Sequence, residues 1–390
     1  MKVYLQFYLA LSLILLGGCT YYRKTATEVV VLSYNVENLF DAIDDGNEYF
    51  EFTSGGGWTE AAYQQRLQQV GAAIRSIRPV PDIIVFQEIE KKSVLNTLMD
   101  EHVVDISVPY RAFTRGAQGS IGIGIVSRYP ITAVRTLTPL TSPTSRMRPL
   151  LEVTLDIQGE EVYVFGNHWR SKLGGAAVTE PIRRSAARLL NARILELWEE
   201  NPDVAVILAG DFNSTPGELE AQSFQHPTAL FPAEELLRIA EALANNERLY
   251  PWAGDGWFNQ HDRILLAPDT VEAERVREAL DLPVFINTWE FTDQPGSFNF
   301  FGRWEQIDAF YLTPSLVDER GFQFVGVETL CLLDGCDSDG RPRSWQDHSR
   351  GISDHLPLLL RLSLPSLTDP EVGSAQLLEN FRAPPRISRW

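Results

Sequence analysis

"VILAGDFNST" at Val206–Thr215 begins as an apolar run and ends in an acid, an aromatic residue and an amide. A short unbroken apolar run is typical of a strand buried on both faces, and such strands carry functional groups at their carboxyl ends. Asp211 and Asn213 are two residues apart, so an extended segment would project both from the same side. On its own the stretch also fits a polar turn, because Asp, Asn, Ser and Thr favour turns. Other parts of the sequence are needed to distinguish a polar turn from a functional site.

The same pattern recurs along the chain, with an apolar strand followed by charged or amide side chains. Strands are predicted over Glu28–Val36 and Pro81–Glu90, and a helix over Thr59–Ile77. Carboxylate and carbonyl oxygens suit Mg²⁺, Mn²⁺ or Ca²⁺, and a histidine beside an acid suits proton transfer. The candidates at strand ends are Asn35, Glu37, Glu88, His168, Asp211, Asn213, Asp308, Asp354 and His355.

Each candidate also has a purely structural interpretation. Asn35 could cap a loop, Glu37 and Asp354 could be solvated turn acids, and Asp308 with His355 could form a structural pair. These interpretations would have to hold together in six separate motifs. We therefore favour a functional site.

The remaining elements indicate a mixed α/β sandwich. We predict a hairpin around Gln158–Gly159, a helix over Pro181–Glu200, and one strand each in "WEQIDAFYLT" and "ISDHLPLLLRLSL". The region Glu218–Glu290 contains no motif that indicates a function.

Composition limits the classes of protein. With 390 residues and 44% hydrophobic content, the chain can bury a substantial core. A formal charge of −18 argues against a broad basic surface for nucleic acid. It does not exclude a nuclease, because bound cations at an acidic site supply local positive charge.

The amino terminus resembles an export signal. Lys2 precedes a short apolar run, and "LGGC" at Leu16–Cys19 resembles the lipobox of bacterial lipoproteins. Cys19 would then be lipidated, although an ordinary signal peptide is the alternative. The predicted organisation is a signal peptide at 1–19, a tether at 20–28, a folded domain at 29–365 and a peripheral tail at 366–390. Thr20 after the cysteine favours an outer-membrane lipoprotein of the cell envelope, attached to the membrane through the lipid alone.

Two cysteines remain, Cys331 and Cys336. In an oxidising compartment a small disulfide loop is favoured over free thiols. Without paired histidines nearby, the two make a poor zinc site.

Six ordered segments together resemble the endonuclease/exonuclease/phosphatase superfamily over roughly Val29–Pro365. They are "SYNVENLFD", "VFQEIE", "GNHWRSK", "LAGDFNSTP", "WEQIDAFYL" and "ISDHLPLLL". The resemblance implies a four-layer α/β sandwich of two packed mixed β-sheets flanked by helices. It also implies cleavage of a phosphate ester with Mg²⁺ or Mn²⁺, and with Ca²⁺ as a further candidate.

The resemblance further implies a role for each site residue. Asn35 and Glu88 match the metal-binding asparagine and glutamate, Glu37 stands where some relatives have an acid near the metal, and Asp354 would help with metal or water. His168 matches the phosphate-contacting histidine, and Asp211 the acid that activates water. The remaining catalytic roles fall to Asn213, which would orient Asp211 and the phosphate, to Asp308, which would hold the last histidine, and to His355, which would stabilise the phosphoryl oxygens.

Other side chains are weaker candidates. Arg170 and Lys172 could bind a substrate phosphate, and Arg183 and Arg184 are further candidates for this role. The charged helix face at Arg183–Arg188 is expected to be solvated. The aromatic residues Trp289, Phe298, Phe300, Phe301 and Trp304 could stack on a base, but strand spacing favours a core position.

The sequence therefore predicts a surface-tethered, metal-dependent phosphodiesterase, with nucleic acid as the first candidate substrate and the chain a monomer. The alternatives are a phosphomonoesterase, a phospholipid phosphodiesterase, or a non-catalytic surface binding protein. No exposed apolar hairpin is evident in the sequence, which weighs slightly against the lipid alternative.

Overall fold

A computed structural model describes residues 27–138, 148–254, 261–318, 320–346 and 351–364. The chain divides into two units, and the larger one, Glu28–Ser363, holds the fold. The other unit, Met1–Thr27 with Leu364–Trp390, lies almost entirely outside the described residues. The predicted signal peptide, tether and carboxyl-terminal tail fall there.

Sixteen strands are seen in the described residues. They are β1 Thr27–Leu39, β2 Ile83–Ile89, β3 Tyr110–Thr114, β4 Gly122–Ser127, β5 Ile131–Leu137, β6 Leu150–Ile157, β7 Glu160–His168, β8 Ala205–Asp211, β9 Leu230–Pro232, β10 Ile264–Ala267, β11 Phe285–Asn287, β12 Phe298–Phe300, β13 Arg303–Glu305, β14 Asp308–Leu312, β15 Gln323–Thr329 and β16 Leu358–Leu364.

The described α-helices lie between these strands. They are α1 Glu60–Ser76, α2 Lys92–Thr97, α3 Ala176–Glu200, α4 Glu218–Ala221, α5 Ala233–Ala244 and α6 Thr270–Leu280. Helix α1 begins where the sequence indicates, because the Thr59 hydroxyl accepts a hydrogen bond from the Ala62 amide. None of the described helices is both long and apolar enough to cross a membrane.

The strands form two large mixed sheets and one hairpin. The first sheet has the order β15-β16-β1-β2-β4-β3, the second β5-β6-β7-β8-β14-β11-β10-β9, and β12 pairs with β13. Their inner faces meet closely, since a Cβ added at Gly166 would lie 2.6 Å from Ile123. Helix α1 packs on the first sheet, and α5 and α6 pack on the second. The predicted four-layer α/β sandwich is confirmed.

Three predictions about single elements need correction. Helix α3 begins at Ala176, five residues before Pro181, because Arg183 donates to the Ala176 carbonyl and ties down the first turns. The segment "WEQIDAFYLT" is split between β13 and β14. In "ISDHLPLLLRLSL" the strand starts only at Leu358, directly after Pro357, which has no amide hydrogen to pair.

The region without recognisable motifs extends the second sheet. Strands β9, β10 and β11 run parallel to one another beside β14, and α5 and α6 cover them. These strands have only three, four and three residues, too few for a pattern of alternation.

Candidate active site

Three neighbouring strands of the second sheet bring His168, Asp211 and Asp308 side by side. His168 pairs with Asp211 across the parallel strands β7 and β8. Asp211 pairs with Asp308 across the antiparallel strands β8 and β14. The register therefore places the Asp211 carboxylate between the His168 imidazole and the Asp308 carboxylate at one edge of the sheet.

The first sheet supplies Asn35 and Glu88 to the same place. Asn35 Nδ2 lies 3.2 Å from Glu88 Oε1 and 3.2 Å from Asp211 Oδ2, so it links the two sheets. His168 Nε2 lies 3.5 Å from Glu88 Oε1 and 3.7 Å from Asp211 Oδ2. Side chains from four distant motifs thus form one cluster.

Left-handed backbone conformations aim several of these side chains. Glu37, Glu88 and Asn213 have φ values of 50°, 66° and 49°. The pairing of β1 with β2 shifts register between Asn35 and Leu39, close to Glu37 and Glu88. Such bulges change the direction of side chains at a sheet edge, so the site is built on strand ends with irregular backbone.

His355 completes the cluster through Asp308. His355 Nδ1 lies 2.7 Å from Asp308 Oδ2, and the Ser297 hydroxyl donates to that same oxygen at 2.6 Å. Burial alone would lower the pKa of His355, but the carboxylates of Asp308, Asp354 and Asp211 raise it well above the ordinary value. The surrounding carboxylates therefore favour the protonated imidazole.

Asp211 lies in a different environment. Burial first, and the nearby Asp308 second, raise the pKa of Asp211 to about 7. The Asn213 amide N–H donates to Asp211 Oδ1 at 2.8 Å, whereas the Asn213 side chain donates to the Trp169 carbonyl at 3.2 Å. Asn213 thus orients Asp211 through its backbone rather than through its side chain.

His168 is the neutral histidine of the pair. Burial, then the positive charges of Arg148 and His355, lower the pKa of His168 well below its ordinary value. Its Nδ1 is buried and has no hydrogen-bond partner among the described residues. A neutral imidazole with an unused nitrogen can contact a ligand or a water molecule.

The cluster fits a divalent cation. Burial and repulsion from Asp354 raise the pKa of Glu88, and partial burial and Asp308 raise that of Asp354. Because their charged forms repel, a cation between them would stabilise both. Glu88 and Asp354 are oxygen donors that would hold it. Asn35 Oδ1 accepts from the Glu37 amide at 3.1 Å and has a second lone pair, so its role as a metal ligand stays a prediction.

Glu37 faces a loop rather than the cluster. Its carboxylate accepts hydrogen bonds from the Ser344 hydroxyl and from the amides of Trp345 and Asp354, at 3.1 and 3.0 Å for the amides. Burial, then Asp354, raise the pKa of Glu37 to about 7. The structure therefore brings Glu37 near the site by way of the segment that carries His355.

Comparison with known proteins agrees with this geometry. The model of the Endonuclease/Exonuclease/phosphatase family matches residues 30–228, which is just over half of the 390 residues. The chain belongs to this family. Membership supports a phosphoester hydrolase that works with a divalent metal ion.

Solved structures of the endonuclease/exonuclease/phosphatase family also resemble the chain. A humanized D. rerio TDP2 with 14 mutations is 15% identical and has a TM-score of 0.48, covering 86% of this chain and 98% of that one. A truncated Caenorhabditis elegans TDP2 is 14% identical, with a TM-score of 0.46 and coverages of 87% and 98%. A family protein from Bacteroides thetaiotaomicron is 16% identical, with a TM-score of 0.47 and coverages of 88% and 100%. No curated protein matches the sequence.

Arg148 is a site residue that the family motifs do not reveal. Its guanidinium donates to the Trp169 carbonyl at 2.8 Å, and its charge acts on both Glu88 and His168. It stands in a loop just before β6, not at the carboxyl end of a strand, so the search for polar strand ends missed it. No pattern in "SRMRP" would have found it.

The two predicted phosphate-binding cations lie in different surroundings. Lys172 Nζ is 2.7 Å from Glu218 and 2.6 Å from Glu305, so its charge is already matched. Arg170 is half-buried and its carbonyl accepts from Arg183. A role for either in binding phosphate stays a prediction.

The sequence predicts that the helix face at Arg183–Arg188 is solvated, but only part of this face is exposed to solvent. The Arg183 side chain is 0% exposed and pairs with Glu180 at 2.6 Å, while the Arg188 side chain is 65% exposed. Glu180 also accepts from the Ala229 amide at 2.6 Å. The expectation was wrong for Arg183 because this pair joins α3 to the segment before β9.

The aromatic residues were also misjudged in part. Trp289 is buried as predicted, but Phe300 and Phe301 are 52% and 92% exposed. They lie at the tip of the β12–β13 hairpin, and Phe298 in the same hairpin packs on His355 with a centroid distance of 4.8 Å. Trp304 is half-buried. The hairpin tip therefore exposes two aromatic side chains, and the predicted core position was wrong for Phe300 and Phe301.

The remaining predictions concern the cysteines. Cys331 and Cys336 form a disulfide with a Cα–Cα distance of 5.9 Å. Cys19 lies outside the described residues, so its lipidation stays a prediction.

Proposed function

We propose that this protein is a divalent-metal-dependent phosphodiesterase, with nucleic acid as its substrate class. The observation that carries the proposal is the meeting of Asp211 with Asp308 and His355, whose ligand atoms all lie within 4.8 Å of one another. A water-activating acid and a held histidinium are what in-line attack on a phosphate requires. A protein that only binds its partner has no need of this set.

Asp211 is the general base in this proposal. A carboxylate with a pKa of about 7 can accept a proton from water near neutral pH, and the Asn213 amide fixes its orientation. The water's oxygen attacks phosphorus and the ester oxygen leaves.

Charge on the phosphoryl oxygens is stabilised from several sides. The His355 imidazolium, held by Asp308, offers its Nε2 hydrogen, and neutral His168 offers a second contact. Arg148 adds a positive charge close to Glu88. Glu88 and Asp354 would hold a divalent ion, which would supply further charge neutralisation. Removing one such contact commonly costs about 3–4 kcal/mol of transition-state stabilisation.

The hairpin beside His355 supports a substrate with planar groups. The rings of Phe298 and Phe300 are stacked at 6.3 Å, and those of Phe300 and Phe301 meet edge-on at 4.6 Å. Base stacking on aromatic side chains is worth about 1–3 kcal/mol per base. A short stacking contact also suits a chain of charge −18, which lacks the basic surface for extended phosphate contacts.

A phospholipid phosphodiesterase is the second candidate, and the same hairpin favours it. Phe301 at the tip is almost fully exposed, and aromatic side chains partition well into a membrane interface. The two candidates differ in the substrate and not in the chemistry of the cluster.

One substrate panel tests the proposal. Protein lacking the first twenty residues is assayed on bis-p-nitrophenyl phosphate, p-nitrophenyl phosphate, single-stranded DNA, RNA and sphingomyelin vesicles, with Mg²⁺ or Mn²⁺. We expect diester hydrolysis that stops with chelator, strongest on DNA or RNA, and absent in Asp211→Asn. Strongest turnover on vesicles would favour the lipid candidate, and inactivity on every ester would favour a binding protein.

We further propose that the protein is exported as a lipoprotein anchored through Cys19, in the outer membrane. The support is "LGGC" after the apolar run at the amino terminus. Expressed at full length, Cys19→Ala should move the protein from the membrane to the soluble fraction. Retention of the variant in membranes would contradict lipidation at this residue.

A further inference from the structure

Both carboxylate oxygens of Glu37 already accept hydrogen bonds from the segment that precedes His355. The Ser344 hydroxyl donates to Oε1, and the amides of Trp345 and Asp354 donate to Oε2 at 3.1 and 3.0 Å. Glu37 is only 7% exposed, so these three hydrogen bonds take the place of the bonds that water would make to an exposed carboxylate. One carboxylate at the end of β1 therefore holds both ends of the segment that precedes His355.

Arg66 of helix α1 fastens the same junction. Its guanidinium donates to the Val36 carbonyl at 2.6 Å and to the Ile352 carbonyl at 2.9 Å. It also lies over the Trp345 ring, 5.0 Å from the centroid. Arg66 is 2% exposed, and a buried guanidinium needs such partners to remain charged.

Ser353 makes the last connection. Its hydroxyl donates to the Asn35 carbonyl at 2.7 Å and accepts from the His355 amide at 3.1 Å. Through Ser353, the backbone of His355 is thus linked to Asn35, whose side chain also contacts Glu88 and Asp211. Hydrogen bonds therefore join strand β1 to the loop residues Ser353–His355.

We propose that Glu37 is a positioning residue that holds His355 and Asp354 against the end of β1, and not a metal ligand. Arg66 is its partner in this role. The inference rests on the proposed function for what His355 does, but the contacts themselves do not depend on it. Because Glu37 acts through backbone amides, one of them that of Asp354, its loss should lower turnover and should weaken metal binding only as far as Asp354 is displaced.

The test is Glu37→Gln, which keeps the size of the side chain but removes its charge and turns one of the two accepting oxygens into a donor. We expect kcat on bis-p-nitrophenyl phosphate to fall about 10- to 100-fold, with KM within threefold of wild type. Mn²⁺ affinity, measured by electron paramagnetic resonance, should fall less than tenfold, because Glu88 keeps its place. Trypsin should cleave at Arg341 or Arg343 at least tenfold faster.

Three variants act as controls. Glu88→Gln should weaken Mn²⁺ binding at least tenfold, and Glu274→Gln, an exposed acid on α6, should change nothing. Arg66→Lys keeps the charge but cannot reach both carbonyls, so it should repeat the Glu37→Gln pattern. It serves as the second test if Glu37→Gln does not fold.

Two results would overturn the inference. A tenfold loss of Mn²⁺ affinity in Glu37→Gln with unchanged trypsin cleavage would make Glu37 a ligand, and unchanged kcat with unchanged cleavage would deny it any positioning role. If the wild-type protein hydrolyses no ester, the proposed function fails, while Mn²⁺ binding and proteolysis still decide the place of Glu37.

Discussion

His355 and Asp308 are joined by a contact of 2.7 Å between Nδ1 and Oδ2, although 47 residues separate them. Asp308 begins a central strand of the second sheet, whereas His355 belongs to a loop held by β1 of the first sheet. The contact therefore spans the two halves of the sandwich. The negative charge of Asp308 favours the protonated form of the His355 imidazole.

Asp308→Asn should lower the pKa of His355. The neutral amide removes the nearest negative charge and leaves at most an uncharged acceptor for Nδ1–H, so the imidazole should lose its proton at a lower pH. We expect kcat at pH 7 to fall about 10²- to 10⁴-fold, the range for a lost acid–base group. The chain has six histidines, so NMR titration of labelled histidine can follow His355. Ser297→Ala, which leaves the carboxylate, should shift the pKa less; an equal shift would point to geometry instead of charge.

Asp211→Asn should stabilise the folded protein while abolishing activity. The folded-state pKa of Asp211 is about 7, above its ordinary value of 3.8, so ionisation costs stability as the pH rises from about 4 to 7. At 1.36 kcal/mol per pKa unit, the variant gains at most about 4 kcal/mol above pH 7 in chelator. Urea unfolding at pH 8 and pH 4 measures this gain, which should shrink at pH 4. A variant less stable than wild type at pH 8 would contradict the raised pKa.

The Phe300→Ser/Phe301→Ser variant should separate the substrates. Losing one or two stacked bases at about 1–3 kcal/mol each should lower kcat/KM on single-stranded DNA about tenfold or more. Hydrolysis of bis-p-nitrophenyl phosphate should change less than threefold, because the cluster is untouched. Val271→Ser, exposed to 75% on α6, is the matched control. A loss confined to lipid vesicles would support the phospholipid candidate.

Arg183→Met should destabilise the fold. Removing one partner of a buried ion pair leaves the other charge unpaired, at a cost of about 3–5 kcal/mol. Here the stranded charge is Glu180, which is 1% exposed. Arg188→Met on the same helix should cost less than about 0.5 kcal/mol, as its side chain is largely exposed. Similar denaturation midpoints for the two variants would show that burial of Arg183 contributes little.

The convergence of the cluster could be predicted from sequence. Asp211 and Asp308 each adjoin an apolar run long enough to be recognised as a buried strand. A buried strand must enter a sheet, and polar residues at its end then emerge at the sheet edge. Asn35, Glu88 and His168 followed from the same reasoning.

Contacts made by irregular segments could not be predicted. Arg148 and the Ser344–Trp345 turn reach the site from loops whose course depends on tertiary packing, and nothing local in the sequence specifies it. The exposure of Phe301 could not be predicted for a similar reason. Alternating spacing indicates a strand, but it does not reveal whether a short hairpin joins a large sheet and becomes buried there. Burial of Arg183 was missed because its partner Glu180 lies on its own helix, where charged pairs are usually solvated.

The left-handed residues at Glu37, Glu88 and Asn213 have a consequence for protein engineering. A regular strand cannot present these side chains in the observed directions, because each depends on a kink that ordinary extended backbone does not contain. Transplanting the catalytic side chains alone onto another scaffold would therefore scatter them. A successful graft would have to copy the distorted main chain together with its functional groups.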